Sequence, residues 1–212
     1  MDRIEKLEKL YELHDKWINN NNYFCKKGCA QCCTLNIAAT SLEAEFIKKK
    51  AGPTYIKMPE KILGYERFHP TTTTNGIANL SIEDIDPPEE YLPHSDIKCP
   101  YLENSECIIY EIRPLACRIQ LSHKDCSKSQ TAVIDEKTMT INTLFQQYIE
   151  LLDHDGLSGN IFDLLVHGSN PVFTSKFIKN QIPKAVMVPP EFREELRQLI
   201  KEIHEIIYAG QN

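Results

Sequence analysis

The sequence predicts a mostly α fold, a single helical domain whose irregular or extended loops carry cysteines. Three observations predict it. Apolar residues recur at helical spacing near both ends of the chain, as Ile4, Leu7, Leu10, Tyr11, Trp17 and Ile18 at one and Phe192, Leu196, Leu199, Ile203 and Ile206 at the other. The eight cysteines fall in two sets, Cys25, Cys29, Cys32 and Cys33, then Cys99, Cys107, Cys117 and Cys126. Between the sets lies a proline-, threonine- and acid-rich stretch with no regular period.

Each element follows in order. The first is a helix over the opening residues, fraying at Asn19–Asn22, where asparagine side chains compete for the backbone. The run FCKKGCAQCC comes next, at Phe24–Cys33. TLNIAAT reads as one extended stretch. TSLEAEFIKKK starts a second helix, with Thr40 as its cap and Glu43, three residues on, completing a capping box. AGP at Ala51–Pro53 ends it. Residues 53–98 read as an irregular arm with short strands at most, and EDIDPPEEY within it as a solvated acidic loop. The cysteine-rich core therefore spans 24–126, and a C-terminal helical part covers 137–210. Within that part Ile141, Leu144, Phe145, Tyr148 and Leu151 or Leu152 share a helix face. NIFDLLVHG is a short helix with Gly168 near its end, and Pro190 and Gly210 bound the last helix. Helices from both ends are expected to pack around the cysteines, with 1–212 as one domain.

Composition narrows the function. Hydrophobic residues make up 42% and charged residues 25%, ordinary globular values. A net charge of -6 argues against a nucleic-acid partner, since such proteins are usually basic. No apolar run is long enough to span a membrane. The charged N-terminus lacks the apolar core of a signal peptide, so the expected compartment is a reducing cytoplasm. There, clustered cysteines point to metal ligands or redox groups rather than to disulfides.

The spacing of Cys25, Cys29 and Cys32 supports a metal centre. On a helix the three share one face; in a loop the same spacing lets amides point inward at a cluster. Cys32 and Cys33 diverge on a helix or a strand, so they suit two metal atoms or two faces of a polynuclear cluster rather than one ion, or one of them is structural. A tetrahedral thiolate site takes four ligands, so eight cysteines allow one site with spares or two full sites. Cys25, Cys29, Cys32 and Cys117 form the preferred four, with Cys33, Cys99 and Cys107 in a second site. All-sulfur ligation favours an iron–sulfur cluster, zinc or monovalent copper. Arg113 and Arg118 flank Cys117 and can offset the charge of a thiolate cluster, or pair with Glu106 or Glu111. His123 is a candidate nitrogen ligand beside Cys126.

A resemblance adds to this reading. FCKKGCAQCC, then TSLEAEFI, CPYL and CIIYEIRPLACR, resembles the YkgJ-type cysteine-cluster family, also described as a zinc- or iron-chelating domain. The later segment matches at Cys107, Ile109, Tyr110, Arg113, Pro114, Cys117 and Arg118. The resemblance spans about Phe24 to Gln120, with the proline-rich arm as a local insertion; Cys126 and His123 lie outside the pattern. It implies a cysteine-bound metal centre, an iron–sulfur cluster in related proteins. It includes the flagellin lysine N-methylases, which transfer a methyl group from S-adenosylmethionine to a protein substrate. With only eight glycines and no glycine-rich loop, this chain offers no Rossmann methyltransferase site. C-x3-C-x2-C is also similar to the radical S-adenosylmethionine motif, but no strand–helix repeat of a β/α barrel accompanies it.

Other constellations read as structural. His14 and His204 are expected to be exposed or half-buried on amphipathic helices. His154 and Asp155 mark a helix terminus. Tyr110 is expected to pack in the core. The expected function is a cysteine-ligated iron–sulfur or zinc protein, with a cluster-dependent lysine methyltransferase or a structural zinc module as the alternatives.

Overall fold

The computed structural model describes residues 1–18, 22–52, 55, 58–93, 97–129, 131–168 and 175–210. Eight α-helices and two small sheets among these residues make the chain mostly α.

Helix α1 (Arg3–Ile18) buries Ile4, Leu7, Leu10, Tyr11, Leu13 and Ile18, one stripe with a period near 3.6. Of its expected fraying at Asn19–Asn22, all but Asn22 lies outside the described residues. Strand β1 (Ala38–Thr40) leads into α2 (Ser41–Ala51) through the expected capping box. Thr40 accepts from the Glu43 amide, and Glu43 Oε2 accepts from the Thr40 amide at 2.8 Å. Gly52 ends α2 at φ 75°, a conformation that disfavours other residues. Pro53 lies outside the described residues.

The arm departs from expectation. Thr74–Ile82 form helix α3, capped by the Thr73 side chain on the Gly76 amide, and Met58–Ile62 form a 3-10 turn. The TTTT run thus ends in a cap rather than a loop. Gly76 permits the approach, since a Cβ there would stand 2.5 Å from Thr72 Oγ1. Fully buried Asn75 ties α3 inward: its amide donates to Glu150 Oε2 at 2.8 Å and its side-chain nitrogen to the carbonyls of Gln147 and Gln181.

A hairpin of β2 (Leu102–Glu103) and β3 (Glu106–Cys107) turns through Asn104 and Ser105, both at positive φ, as the right-handed strand twist favours. Short helices α4 (Leu115–Arg118) and α5 (Cys126–Ser129) follow. Asp135 caps α6 (Glu136–Leu152), whose expected face is buried through Leu152, with Leu151 half-buried. Strand β4 (Leu157–Asn160) pairs antiparallel with β1 and with β5 (Ile178–Lys179). Asn160 caps α7 (Ile161–His167) and Gly168 ends it. The last helix is shorter than its stripe implied: Pro190–Phe192 make a 3-10 turn, and α8 runs Arg197–Ile207.

Two cores result. The first gathers α1, α6 and α8, with Phe145, Leu144, Leu7, Leu10, Leu199 and Ile203 fully buried. The second gathers Leu35, Ile37, Ile47, Tyr101, Ile109, Phe162 and Leu165, with Cys99, Cys107 and Cys117 packed on its edge. Ile112 touches both. The terminal helices therefore pack on α6 and not around the cysteines, because their stripes find a mutual partner there.

Candidate metal centre

Phe24–Thr34 is neither helix nor strand. Two successive turns, closed by Lys26 O to Cys29 N at 3.0 Å and Ala30 O to Cys33 N at 3.4 Å, carry Cys29, Cys32 and Cys33, and Cys25 directly precedes the first. Gly28 at φ 91° allows the reversal between Cys25 and Cys29. The second set is attached through the backbone. Thr34 bridges Lys98, and the Cys99 amide donates to Cys33 O at 3.0 Å. The Leu102 amide donates to Cys99 O, and Leu102 pairs with Cys107 across the hairpin.

Cys117 is set by α4. The N-terminal amide of α4, on Leu115, donates to Glu43 Oε1 at 2.7 Å. The same oxygen accepts from Tyr11 at 2.9 Å. Glu43 therefore caps two helices, its own and the turn bearing Cys117. Its role at α2 was legible as a capping box; its role at α4 spans 72 residues of sequence and was not. Burial raises the Glu43 pKa, outweighing hydrogen bonds from Thr40, Leu115 and Tyr11.

Seven thiols, Cys25, Cys29, Cys32, Cys33, Cys99, Cys107 and Cys117, line one cavity of about 100 Å³. Cys126 does not line it; its Sγ lies 3.8 Å from Lys124 O. All eight are free thiols, Cys29 and Cys32 exposed and the others half-buried. Burial pushes Cys99 up to about 12 and raises Cys107 and Cys117. The adjacent Cys33 thiol raises Cys32, and Cys32 in turn lowers Cys33. Cys33 feels Cys99, Cys117 and Cys107, whereas Cys25 feels Cys29, Cys32 and Cys126.

The cations divide their work. Arg113 stands over the Tyr110 ring at 3.7 Å, donates to Tyr110 O at 2.6 Å, and favours the thiolates of Cys107 and Cys117. Tyr110 is half-buried and lines the cavity, contrary to its expected place in the core, because the guanidinium holds its ring at the wall. Arg118 is buried and committed elsewhere. It donates to Asp15 Oδ2 at 2.6 Å and to the carbonyls of Arg113 and Glu111, and lies over the Tyr11 ring at 4.3 Å. Neither Glu106 nor the Glu111 carboxylate is its partner; Asp15, 103 residues away, is. No carboxylate appears among the described residues of the cavity wall, while Lys26, Arg113 and Arg118 do.

The histidines lie elsewhere. His123 Nε2 is 2.9 Å from Asp135 Oδ2, with its ring on Tyr23. His204 is exposed and bonds Tyr148 at 2.6 Å. His14, against expectation, is wholly buried, 3.0 Å from Asn142 Oδ1 and edge-on to Phe145, because α6 covers that side of α1. His154 sits at the end of α6, near Leu151 O.

Among the described residues, no three His, Cys, Asp or Glu side chains are gathered tightly enough to hold a single metal ion. The thiols instead spread around the wall of one cavity. Their chemistry fits a thiophilic metal: a sulfur-only donor set with cations and no competing carboxylate at the wall. No membrane-crossing helix occurs among the described residues. A family model matches residues 24–142. Neither the curated proteins nor the solved structures include a match. The matched segment holds all eight cysteines and more than half of the chain, and the chain belongs to the CxxCxxCC family, described as "Putative zinc- or iron-chelating domain".

Proposed function

We propose that the thiol-lined cavity holds an iron–sulfur cluster. The observation that carries this is the convergence of seven thiols and three cations on one cavity. A single zinc ion uses four sulfurs about 3.8 Å apart, given Zn–S bonds of about 2.3 Å in a tetrahedron. Thiols spread around a cavity wall suit a larger centre. A four-thiolate cluster also carries net negative charge, which Arg113 and Lys26 at the wall offset. Such a cluster would supply electron transfer or an accessible iron. In place of the four that the spacing preferred, Cys33, Cys99, Cys107 and Cys117 are the proposed ligands: a backbone bond ties Cys33 to Cys99, and Cys99, Cys107 and Cys117 share a core edge. Cys29 and Cys32 are exposed and Cys25 half-buried. A reducing cytoplasm is the compartment that keeps eight thiols free, and residues 1–212 are read as one unit because Ile112 joins the two cores.

Anaerobic purification tests this. Broad visible absorption with iron and acid-labile sulfide is expected; colourless protein with stoichiometric zinc overturns the cluster and leaves a structural zinc module. Serine at Cys99 or Cys117 should strip the metal, while serine at Cys126 should keep it. A second reading, methyl transfer from S-adenosylmethionine to a protein substrate, is favoured by Tyr110 and Arg113 at the cavity wall, which a closed structural site does not need. S-adenosylmethionine added to the reduced iron protein should then change its electron paramagnetic resonance spectrum. An unchanged spectrum removes that reading.

A further inference from the structure

Among the described residues the longest exposed run is 81–92, in the arm. It holds five carboxylates, Glu83, Asp84, Asp86, Glu89 and Glu90, and no lysine or arginine. Interleaved with them, Ile82, Ile85, Tyr91 and Leu92 are between 49% and 69% exposed. The run is solvated and acidic, as its composition implies. A loop that only meets water needs no large apolar side chains, and four in one run exceed the single ones that a monomer scatters over its surface.

The run is also fixed at both ends. It starts at the C-terminal turn of α3, where the Ile85 amide donates to Leu80 O at 3.0 Å and the Asp84 amide to Ser81 O at 3.4 Å. With Asp84 at φ 56°, these two bonds make a Schellman closure. Pro87 and Pro88 then hold φ at about −65° and keep the residues before them extended. At the far end the Glu90 carboxylate accepts from the Thr71 amide and hydroxyl, both at 2.9 Å. Pro93 O accepts from Asn36 Nδ2 at 2.7 Å. Thr71 stands just before the cap of α3, so the run returns along that nine-residue helix, about 13.5 Å long.

Two of the acids are engaged, Glu83 with Lys184 and Glu90 with Thr71. Asp84, Asp86 and Glu89 have no partner among the described residues. No backbone amide of residues 86–92 donates to a described atom. Unpaired extended backbone takes a second strand, unpaired carboxylates take lysine or arginine, and exposed apolar side chains take their like. A metal ion or a polyamine offers the charge alone, whereas a polypeptide offers all three. Because both ends are anchored, docking costs little further ordering.

We propose that residues 81–93 form a docking strap for a basic, extended segment of a partner protein. Lysine or arginine of the partner would face Asp84, Asp86 and Glu89. Its apolar side chains would cover Ile82 and Ile85 at one end and Tyr91 and Leu92 at the other. The strap is separate from the cysteine cavity, and its test does not depend on the metal.

Fluorescence anisotropy on the full-length protein tests it, with a labelled eight-residue peptide alternating lysine and leucine as the probe. Saturable binding is expected, about tenfold tighter than that of a lysine–serine peptide, and a glutamate–leucine peptide should not bind. Tyr91→Ser with Leu92→Ser should weaken the lysine–leucine peptide about tenfold. Asp86→Asn with Glu89→Gln should weaken it similarly and flatten its salt dependence. Glu194→Gln with Glu205→Gln removes the same charge from exposed positions at α8 and should change nothing. All these side chains are exposed, so every variant should melt at the temperature of the parent. No saturable binding, equal binding of the lysine–serine peptide, or parent-like affinity in either strap variant overturns the proposal. A parent that sediments as a dimer, split by the Tyr91 and Leu92 substitutions, gives the face to a second copy and overturns it too.

Discussion

The two cores are held together by different means. In the α1–α6–α8 core, long helices interlock apolar stripes, and Leu7, Leu10, Leu144, Phe145, Leu199 and Ile203 leave no exposed surface. Around the cysteines, elements are two to four residues long and few of their bonds repeat. Single backbone bonds, the double cap from Glu43 and the Arg118–Asp15 pair set the thiols instead. The first region is redundant, since many contacts share the load. The second rests on individual polar groups, each of which costs the full desolvation penalty if its partner is lost. A site built this way can be held in place by few residues and altered by few.

Breaking the helical side should have the largest effect. Phe145→Ala should cost about 3–5 kcal/mol in denaturant unfolding, because a wholly buried ring leaves a cavity. A smaller loss, with a collapsed cavity, would mean that this core is looser than its packing implies.

Glu43→Ala tests the joint between the regions. It removes the acceptor of the Thr40 and Leu115 amides and of Tyr11, for about 3 kcal/mol. Cys117 should also become more reactive toward a thiol reagent. In the parent, the raised Glu43 pKa lies above its unfolded value, so the ionised carboxylate disfavours folding at neutral pH. Its contribution should therefore turn more favourable as the pH falls through the raised folded value, and Glu43→Ala should lose that trend.

Arg118→Ala should cost about 2 kcal/mol through its lost charged hydrogen bonds. Amide exchange should quicken around residues 111–121 while the amides of α6 keep their protection. Equal acceleration in α6 would show that the regions open together.

The smallest effect concerns the cap of α6. Burial raises Asp135, but hydrogen bonds from His123 and Thr138 outweigh it and leave a pKa of about 2. A depressed carboxylate stabilises above its unfolded pKa, and that stability is lost as pH falls from near 4 toward 2. Asp135→Asn should flatten acid unfolding in this window. The loss at neutral pH should stay below about 1 kcal/mol, since the residue is exposed and asparagine also caps.

Sequence reading went furthest where structure is local. The stripes of α1 and α6, the capping box and Gly168 were legible because neighbours within four residues produce them. It missed α3, where Thr71–Thr74 resembles a loop but Thr73 caps a helix that Asn75 and Glu150 draw onto α6. The hairpin had a signal in Asn104–Ser105 between Glu103 and Glu106, a two-residue turn that tolerates positive φ.

By itself, the sequence determined that this is a helical chain with eight thiols in two sets, and the chemistry of those thiols points to metal. Which thiols are neighbours was decided only by tertiary structure. Cys33 meets Cys99 through one backbone bond across 66 residues, Arg118 turns to Asp15 rather than to the nearby glutamates, and His14 is buried by a helix 128 residues away. Helical periodicity is set by bonds four residues apart, whereas such meetings depend on how whole elements pack, which no local pattern encodes.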